Sequence, residues 1–220
     1  MKIDLHVHIH RTSRCAKEDI EPMAIAAREK GLDGIVVLDH NYQATFEECK
    51  SIKVEGLSIF SGMEVNVFDE DVVIISSCVM DFLPKYKEKL KDLERLSKWV
   101  KDTNSLAILA HPFRRHPHIS FDLTKFRPQA IEFSGRHVDK VNRKKIFDLA
   151  KSEGMSIVAV SDAHKSSQLG GFCIDLDRRV SDEAQLIREI KCGEYSLMEY
   201  KLSYINDFGS RGDSPRWPYV

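Results

Sequence analysis

Seven short apolar runs recur along the chain with charged, amphipathic stretches between most of them: IDLHVH, GIVVLD, LSIFSGMEV, DVVIISSCV, LAILAH, AIEFSG and SIVAVSD. Runs this short and this rich in Val and Ile form buried strands, and their alternation with helical patterns restricts the chain to an α/β architecture. Residues 20–30, 84–103, 137–153 and 181–192 read as helices, with Gly31 and Gly154 placed as C-caps before the next strand. Neither a Gly/Ser linker, a low-complexity block nor a fixed-period repeat divides the sequence, so residues 1–207 read as one domain. The segment 208–220, with no apolar periodicity, reads as a loose C-terminal tail. Its RGD triplet is a three-residue match in a polar tail and supports no adhesion role.

Composition removes several classes of function. A chain of 220 residues buries roughly 70% of its unfolded surface, so it needs neither metal nor disulfide to build a core. Any metal would therefore serve function. Lys plus Arg number 33 against 34 Asp plus Glu, a net charge of −1, which argues against a protein that grips nucleic acid in bulk through its phosphates. Five cysteines without paired spacing, and an N-terminus MKIDLHVHIH without a signal peptide's apolar core, lead us to expect a reduced, cytoplasmic protein. The longest apolar run, around Val72 to Met80, is too short to span a membrane.

The first strand carries the most chemistry. By simple alternation Asp4, His6, His8 and His10 share one face, while Ile3, Leu5, Val7 and Ile9 take the other. Neighbouring imidazoles on a central strand need partners, either a shared metal or backbone carbonyls. HxH alone does not decide between them. The pattern recurs, however: GIVVLDHN ends in Asp39 and His40, LAILAHP in His111, SIVAVSDAH in Asp162 and His164, and LSIFSGMEV brings Glu64 near its end. In parallel α/β folds the C-terminal strand ends converge on one face, where residues distant in sequence meet. Five such ends bearing His, Asp or Glu point to a metal centre, in which a carboxylate such as Glu64 could bridge two cations.

Taken in order, DLHVH, LDHN, GME, AHP and SDAH resemble the signatures of the polymerase and histidinol phosphatase (PHP) family of metal-dependent phosphoesterases, and AIEFSGR with the later LGG resembles its C-terminal half. The resemblance covers approximately Lys2 to Cys192. It implies a single-domain, distorted (β/α)7 barrel with metal ions at its C-terminal mouth, held by His6, His8, His40, Glu64, His111, Asp162 and His164. Two positions depart from the family pattern. Members often carry an acid or His shortly after HxH, where this chain has Thr12, Ser13, Arg14 and Cys15; His10 is a possible substitute. Many also carry a His on the strand after the glutamate motif, whereas DVVIISS has none, Val73 standing near that place. We therefore expect two divalent cations, with the third site unassigned, and expect Cys15 and Cys78 to play no part in the site.

Imidazole and carboxylate donors suit Zn, Mn or Fe without choosing among them. A cation of this kind lowers the pKa of water from 15.7 to about 7, so hydroxide rather than Ser or Cys is the expected nucleophile toward a small phosphorylated metabolite or nucleotide. Arg114 and Arg115 in HPFRRHPH, with Arg136 and Lys165, are candidates to bind the substrate phosphate, and His116, His118 and His137 are weaker candidates for other roles. A nuclease or proofreading phosphodiesterase and a non-catalytic PHP scaffold subunit are the competing readings. An amidohydrolase is disfavoured because no strand end offers a mid-barrel Lys for carboxylation.

Overall fold

A computed structural model describes residues 1–10, 15–43, 46–85, 87–134, 137–138 and 140–199. Its strands are β1 (Lys2–His8), β2 (Gly34–Leu38), β3 (Ser58–Val67), β4 (Glu70–Ile75), β5 (Leu106–Leu109), β6 (Ala130–Ser134), β7 (Ser156–Ala159), β8 (Phe172–Leu176) and β9 (Tyr195–Glu199). Its helices are α1 (Ile20–Glu29), α2 (Phe46–Ser51), α3 (Leu93–Asp102), α4 (Lys140–Glu153) and α5 (Glu183–Cys192). The strands form one sheet in the order β7-β6-β5-β4-β3-β2-β1-β8-β9. β4 runs antiparallel to both β3 and β5, and β8 antiparallel to both β1 and β9, so seven of the nine strands share one direction. This is the distorted seven-stranded α/β barrel, elaborated by two reversed strands.

The sheet curls until its ends meet. Ala163, just beyond β7, bridges Val7 in parallel, with the His8 amide donating to the Ala163 carbonyl at 2.8 Å. At the other side Tyr195 of β9 donates its hydroxyl to the Ile157 carbonyl of β7 at 2.9 Å. The enclosed core takes Ile3, Leu5, Val36, Leu38, Phe60, Val73, Ile108, Val158 and Ile174 from around the sheet and is capped by Leu186, Ile187 and Ile190 of α5. Outside it, α1 covers β1 and β2 through Met23, Ala24 and Ala27, while α3 and α4 cover β3 to β6.

Simple alternation fails in β1. The pairing Ile3 with Gly34 and Asp4 with Ile35 changes to Val7 with Val37 and His8 with Leu38, so three steps along β1 match two along β2. The extra residue is a β-bulge, which reverses the facing of everything after it. Ile3 and Leu5 accordingly lie in the enclosed core, whereas Val7 and Ile9 pack outward with α1. Asp4 and His6 thus do not share a face in the way that a regular strand would impose. The Asp4 carboxylate braces the bulge by accepting from the His6 amide at 3.3 Å and the Ser161 amide at 3.0 Å.

Helix boundaries show what propensity alone misses. The expected helix 84–103 begins only at Leu93, where Asp92 caps it by accepting from the Arg95 amide at 2.9 Å. The residues before it are drawn to the edge of β3, where Leu90 bridges Val67 and exchanges backbone bonds with Asn66 and Phe68. Strands β8 and β9 and the short α2 carry too weak a pattern to be read in sequence. Gly31 and Gly154 end α1 and α4 at φ +80° and +65°, as expected. The tail 208–220 and Arg136 lie outside the described residues, and no helix among those described is long and apolar enough to cross a membrane.

Two outcomes test this packing. At Gly62 an added Cβ would stand 2.6 Å from Leu38 and 3.0 Å from the Ile74 carbonyl. Gly62→Ala should therefore cost about 1–3 kcal/mol in denaturant unfolding. Burial pushes the Tyr195 phenol from 10 up to about 12, so its contribution to stability is complete below pH 10 and is lost as pH rises through 12. Tyr195→Phe should lose about 1 kcal/mol at neutral pH and show a shallower alkaline decline than the native chain.

Candidate metal centre

All seven residues expected to gather at the barrel mouth do so. The path starts at β1, where the bulge and the Ala163 bridge aim His6 and His8 into the site, their Nε2 atoms 2.9 Å apart. His40 follows β2, His111 follows β5, and Asp162 and His164 follow β7. Glu64 lies within β3 and is shared: its Oε1 stands 3.2 Å from His111 and 3.6 Å from His6, its Oε2 2.9 Å from His40 and 3.4 Å from His8. Asp162 Oδ1 is 3.4 Å from both His6 and His8 and 3.5 Å from His164. His111 and Asp162 adopt φ values of +26° and +50°, a conformation that costs non-glycine residues of order 1–3 kcal/mol and is found where a site over-determines the backbone.

Burial and charge set the protonation pattern. Burial lowers the basicity of His6, but Glu132, Asp162 and Glu64 outweigh it and raise the ring to about 10. Burial likewise opposes charge at His40, where Cys15 and Glu64 prevail and raise it to about 11. His8 moves the other way because burial dominates. Glu64 is held well below the usual carboxylate range: burial would raise it, and His6, His111, His40 and His8 overcome that. Asp162 is also lowered, against burial, by His6 and His8. Two buried carboxylates are thus kept anionic among five imidazoles, which is the charge arrangement that a divalent cation completes.

The donor geometry fits metal ions. Three groups bring one ligand atom per residue within 4.8 Å of one another: His6, His8 and Glu64; Glu64, Asp71 and His111; and His8, Cys15, His40 and His164. Glu64 and His8 are common to adjacent groups, so the three form one chain of sites. His8 Nδ1 is buried without a hydrogen-bond partner among the described residues, an expensive arrangement for a ring held only by protein contacts.

Several residues here carry no signal in the motifs. Glu132, in AIEFSG, accepts from His6 Nδ1 at 2.7 Å and from the His111 amide at 2.7 Å. With its Nδ1 proton held by Glu132, the His6 ring would release its Nε2 proton to present a lone pair to a cation. Val73, near the place where a histidine was expected, lies in the enclosed core, whereas Asp71, two residues before it, joins Glu64 and His111. Asp71 also accepts from Asn66 and pairs with Arg115 Nη2 at 2.8 Å. Cys15, expected to play no part, sits with His8, His40 and His164. His10 does not join these groups; its Nδ1 donates to the Ala16 carbonyl at 3.0 Å. His137 Nε2 is 3.2 Å from Asp162 Oδ2.

The phosphate candidates separate. Arg115 is at the mouth through its pair with Asp71, with half its side chain in solvent. Arg114 and Lys165 are exposed, and their side chains make no hydrogen bond or ion pair among the described residues. His116 and His118 pair with each other on the exposed loop at 6.3 Å between ring centroids. Asp39 remains a buried carboxyl, raised to about 8 by burial against a bond from the Ile9 backbone, and joins none of the three groups.

Comparison with known proteins agrees with this reading of the fold. Residues 142–195 match the family model PHP_C, described as PHP-associated. A protein of Caldicellulosiruptor saccharolyticus described as "Probable phosphatase" is 25% identical, over 86% of this chain and 91% of its own. A two-domain protein from Bacteroides vulgatus, described as containing a predicted PHP-like metal-dependent phosphoesterase, superposes with a TM-score of 0.61 at 14% identity, covering 92% of this chain and 65% of its own. The lesion-specific endonuclease PfuEndoQ from Pyrococcus furiosus superposes at 0.59 with 17% identity, over 90% of this chain and 57% of its own. The fold is a barrel like that of the PHP-like protein from Bacteroides vulgatus on which it superposes. The chain is similar to PHP proteins in its ordered motifs, in the PHP-associated segment 142–195 and in relatives described as probable phosphatases.

Glu132 offers a direct test of how the donors are held. Glu132→Gln leaves one acceptor oxygen for two donors, the His6 ring and the His111 amide. Its metal affinity, measured by competition with a chromophoric chelator, should fall about 10–100-fold with the fold retained.

Proposed function

We propose that the chain is a metal-dependent phosphoesterase that hydrolyses the phosphate ester of a small metabolite or nucleotide in the cytoplasm. The observation that carries this reading is the convergence of His6, His8, Glu64, His111 and Asp162 from separate strand ends around two shared, buried carboxylates. His6, His8, Glu64 and Asp162 would hold one cation, and Glu64, Asp71 and His111 a second, with Zn, Mn or Fe all compatible with the donors. Such ions supply neutralisation of phosphoryl charge and an acidified water as nucleophile.

The chain's own residues do the remaining work. Glu132 fixes the His6 tautomer so that Nε2 faces the reacting centre. Arg115, anchored through Nη2 by Asp71 and through Nη1 by the Asp69 carbonyl, would offer its remaining exposed N–H groups to phosphate oxygens at the mouth. The buried walls of β1 and β5 exclude water from behind the donors, which strengthens every charge interaction within the site. A chain with net charge −1 is suited to a small phosphorylated substrate rather than to long nucleic acid.

Purified protein should contain divalent metal by elemental analysis, and His8→Ala or Asp162→Ala should lose most of it while remaining folded. Turnover of an aryl phosphate should disappear with chelator and return with metal. Parallel assays with an aryl phosphodiester, a single-stranded oligonucleotide and an amide separate monoesterase, nuclease and amidohydrolase; chelator-insensitive turnover of the aryl phosphate would overturn the proposal. Arg115→Ala should raise KM about tenfold or more, as expected for the loss of a charge-assisted hydrogen bond of 1.5–3 kcal/mol, and leave metal content unchanged.

A further inference from the structure

Cys15 lies between β1 and α1, in a stretch with no motif. The geometry points to its thiol as a metal ligand: we propose that Cys15 joins His8, His40 and His164 in a sulfur-containing site that selects Zn2+ over Mn2+ or Mg2+, one ligand atom of each residue lying within 4.8 Å of the others. The inference deepens the phosphoesterase reading and rests on it.

The residues that follow the thiol, Ala16 to Glu18, are fastened to their surroundings. His10 donates its amide to the Glu18 carbonyl at 2.8 Å and its ring Nδ1 to the Ala16 carbonyl at 3.0 Å. The Lys17 amide donates to the His164 carbonyl at 2.8 Å, and Glu18 accepts from the hydroxyl of Ser166 at 3.0 Å. These bonds tie Lys17 and Glu18, close after Cys15, to the segment that bears His164, which places the thiol beside the imidazoles. The rings themselves are packed together: His8 stacks on His40 at 4.8 Å with an 18° tilt and lies 4.4 Å from His164. The Cys15 sulfur makes hydrogen bonds with both His40 and His164.

The donor chemistry of this group differs from that of its neighbours. The other two groups contain carboxylates, Glu64 in both and Asp71 in one. This one has three imidazoles and a thiol. Carboxylate-rich sites accept Mg2+ and Mn2+, whereas thiolate with imidazole in a tetrahedral set favours Zn2+, with Co2+ as its spectroscopic substitute. As the sulfur–metal bond forms, the thiol proton is released to solvent and no electron is transferred.

The test uses the full chain stripped with chelator and reloaded with Co2+. The native protein should develop a near-ultraviolet sulfur-to-cobalt charge-transfer band. Cys15→Ser should lack the band and bind about one equivalent less Zn2+ while keeping the rest. Cys15→Asp should recover that equivalent with preference shifted toward Mn2+, and Cys78→Ser, altering an exposed cysteine outside the group, should keep the band. Identical cobalt spectra and zinc content in native protein and Cys15→Ser would overturn the role of Cys15 and leave the phosphoesterase reading standing. Failure of the native protein to take up any metal would overturn both.

Discussion

The site depends on how β1 is joined to the end of β7. A single bulge between Asp4 and Val7 turns the strand over, and the parallel bridge between Val7 and Ala163 fastens the turned half to the segment that carries Asp162 and His164. Asp4 sits at this seam, accepting from the amides of His6 and Ser161, one on each side of it. Its other oxygen is buried without a hydrogen-bond partner among the described residues, and burial raises the carboxyl to about 7. An isolated polar group of that kind is costly, and its retention marks the seam as a place where geometry outweighs local stability. Without the bulge, the apolar and imidazole faces of β1 could not serve both the enclosed core and the barrel mouth.

A second constraint is electrostatic. Buried imidazoles and carboxylates crowd together because each offsets the burial penalty of the other, and Glu64 lies at the centre of that balance with four histidines around it. Outside the ring of donors stands Glu132, whose two oxygens are committed to the His6 ring and the His111 backbone. Arg115 performs the matching task at the edge, bringing a cation against Asp71 while remaining half in solvent. The polarity of the mouth therefore grades from buried anionic donors to an exposed guanidinium, the order in which a phosphate ester would encounter them in reverse.

Near both positions at which the sequence leaves the family pattern stands a donor of a different type. Asp71, two residues before Val73, joins Glu64 and His111, and Cys15, the last of the stretch 12–15, joins His8, His40 and His164. Neither was legible, for different reasons. Asp71 precedes its run of β-branched residues and is indistinguishable in sequence from a turn carboxylate; only the antiparallel pairing that sets it opposite Asn66 turns it toward Glu64 and His111. Cys15 belongs to a stretch without periodicity, and the residues just after it, Ala16 and Lys17, bond to the His10 ring and the His164 carbonyl. Arg114 and Arg115 were equivalent in sequence, and the loop's path made one a partner of Asp71 and left the other in solvent.

What the sequence by itself determined was the class of architecture and the seven residues that meet at the mouth. Apolar runs of strand length, each ended by His, Asp or Glu, carry that information locally, because strand ends in such folds point to one side. The tertiary structure alone decided the facing of β1, the reversed strands β4 and β8, and the supporting roles of Glu132, Asp71, Cys15 and Arg115. These depend on pairing register and on contacts between segments far apart in the chain, and a bulge of one residue is enough to exchange the two faces of a strand without altering its composition.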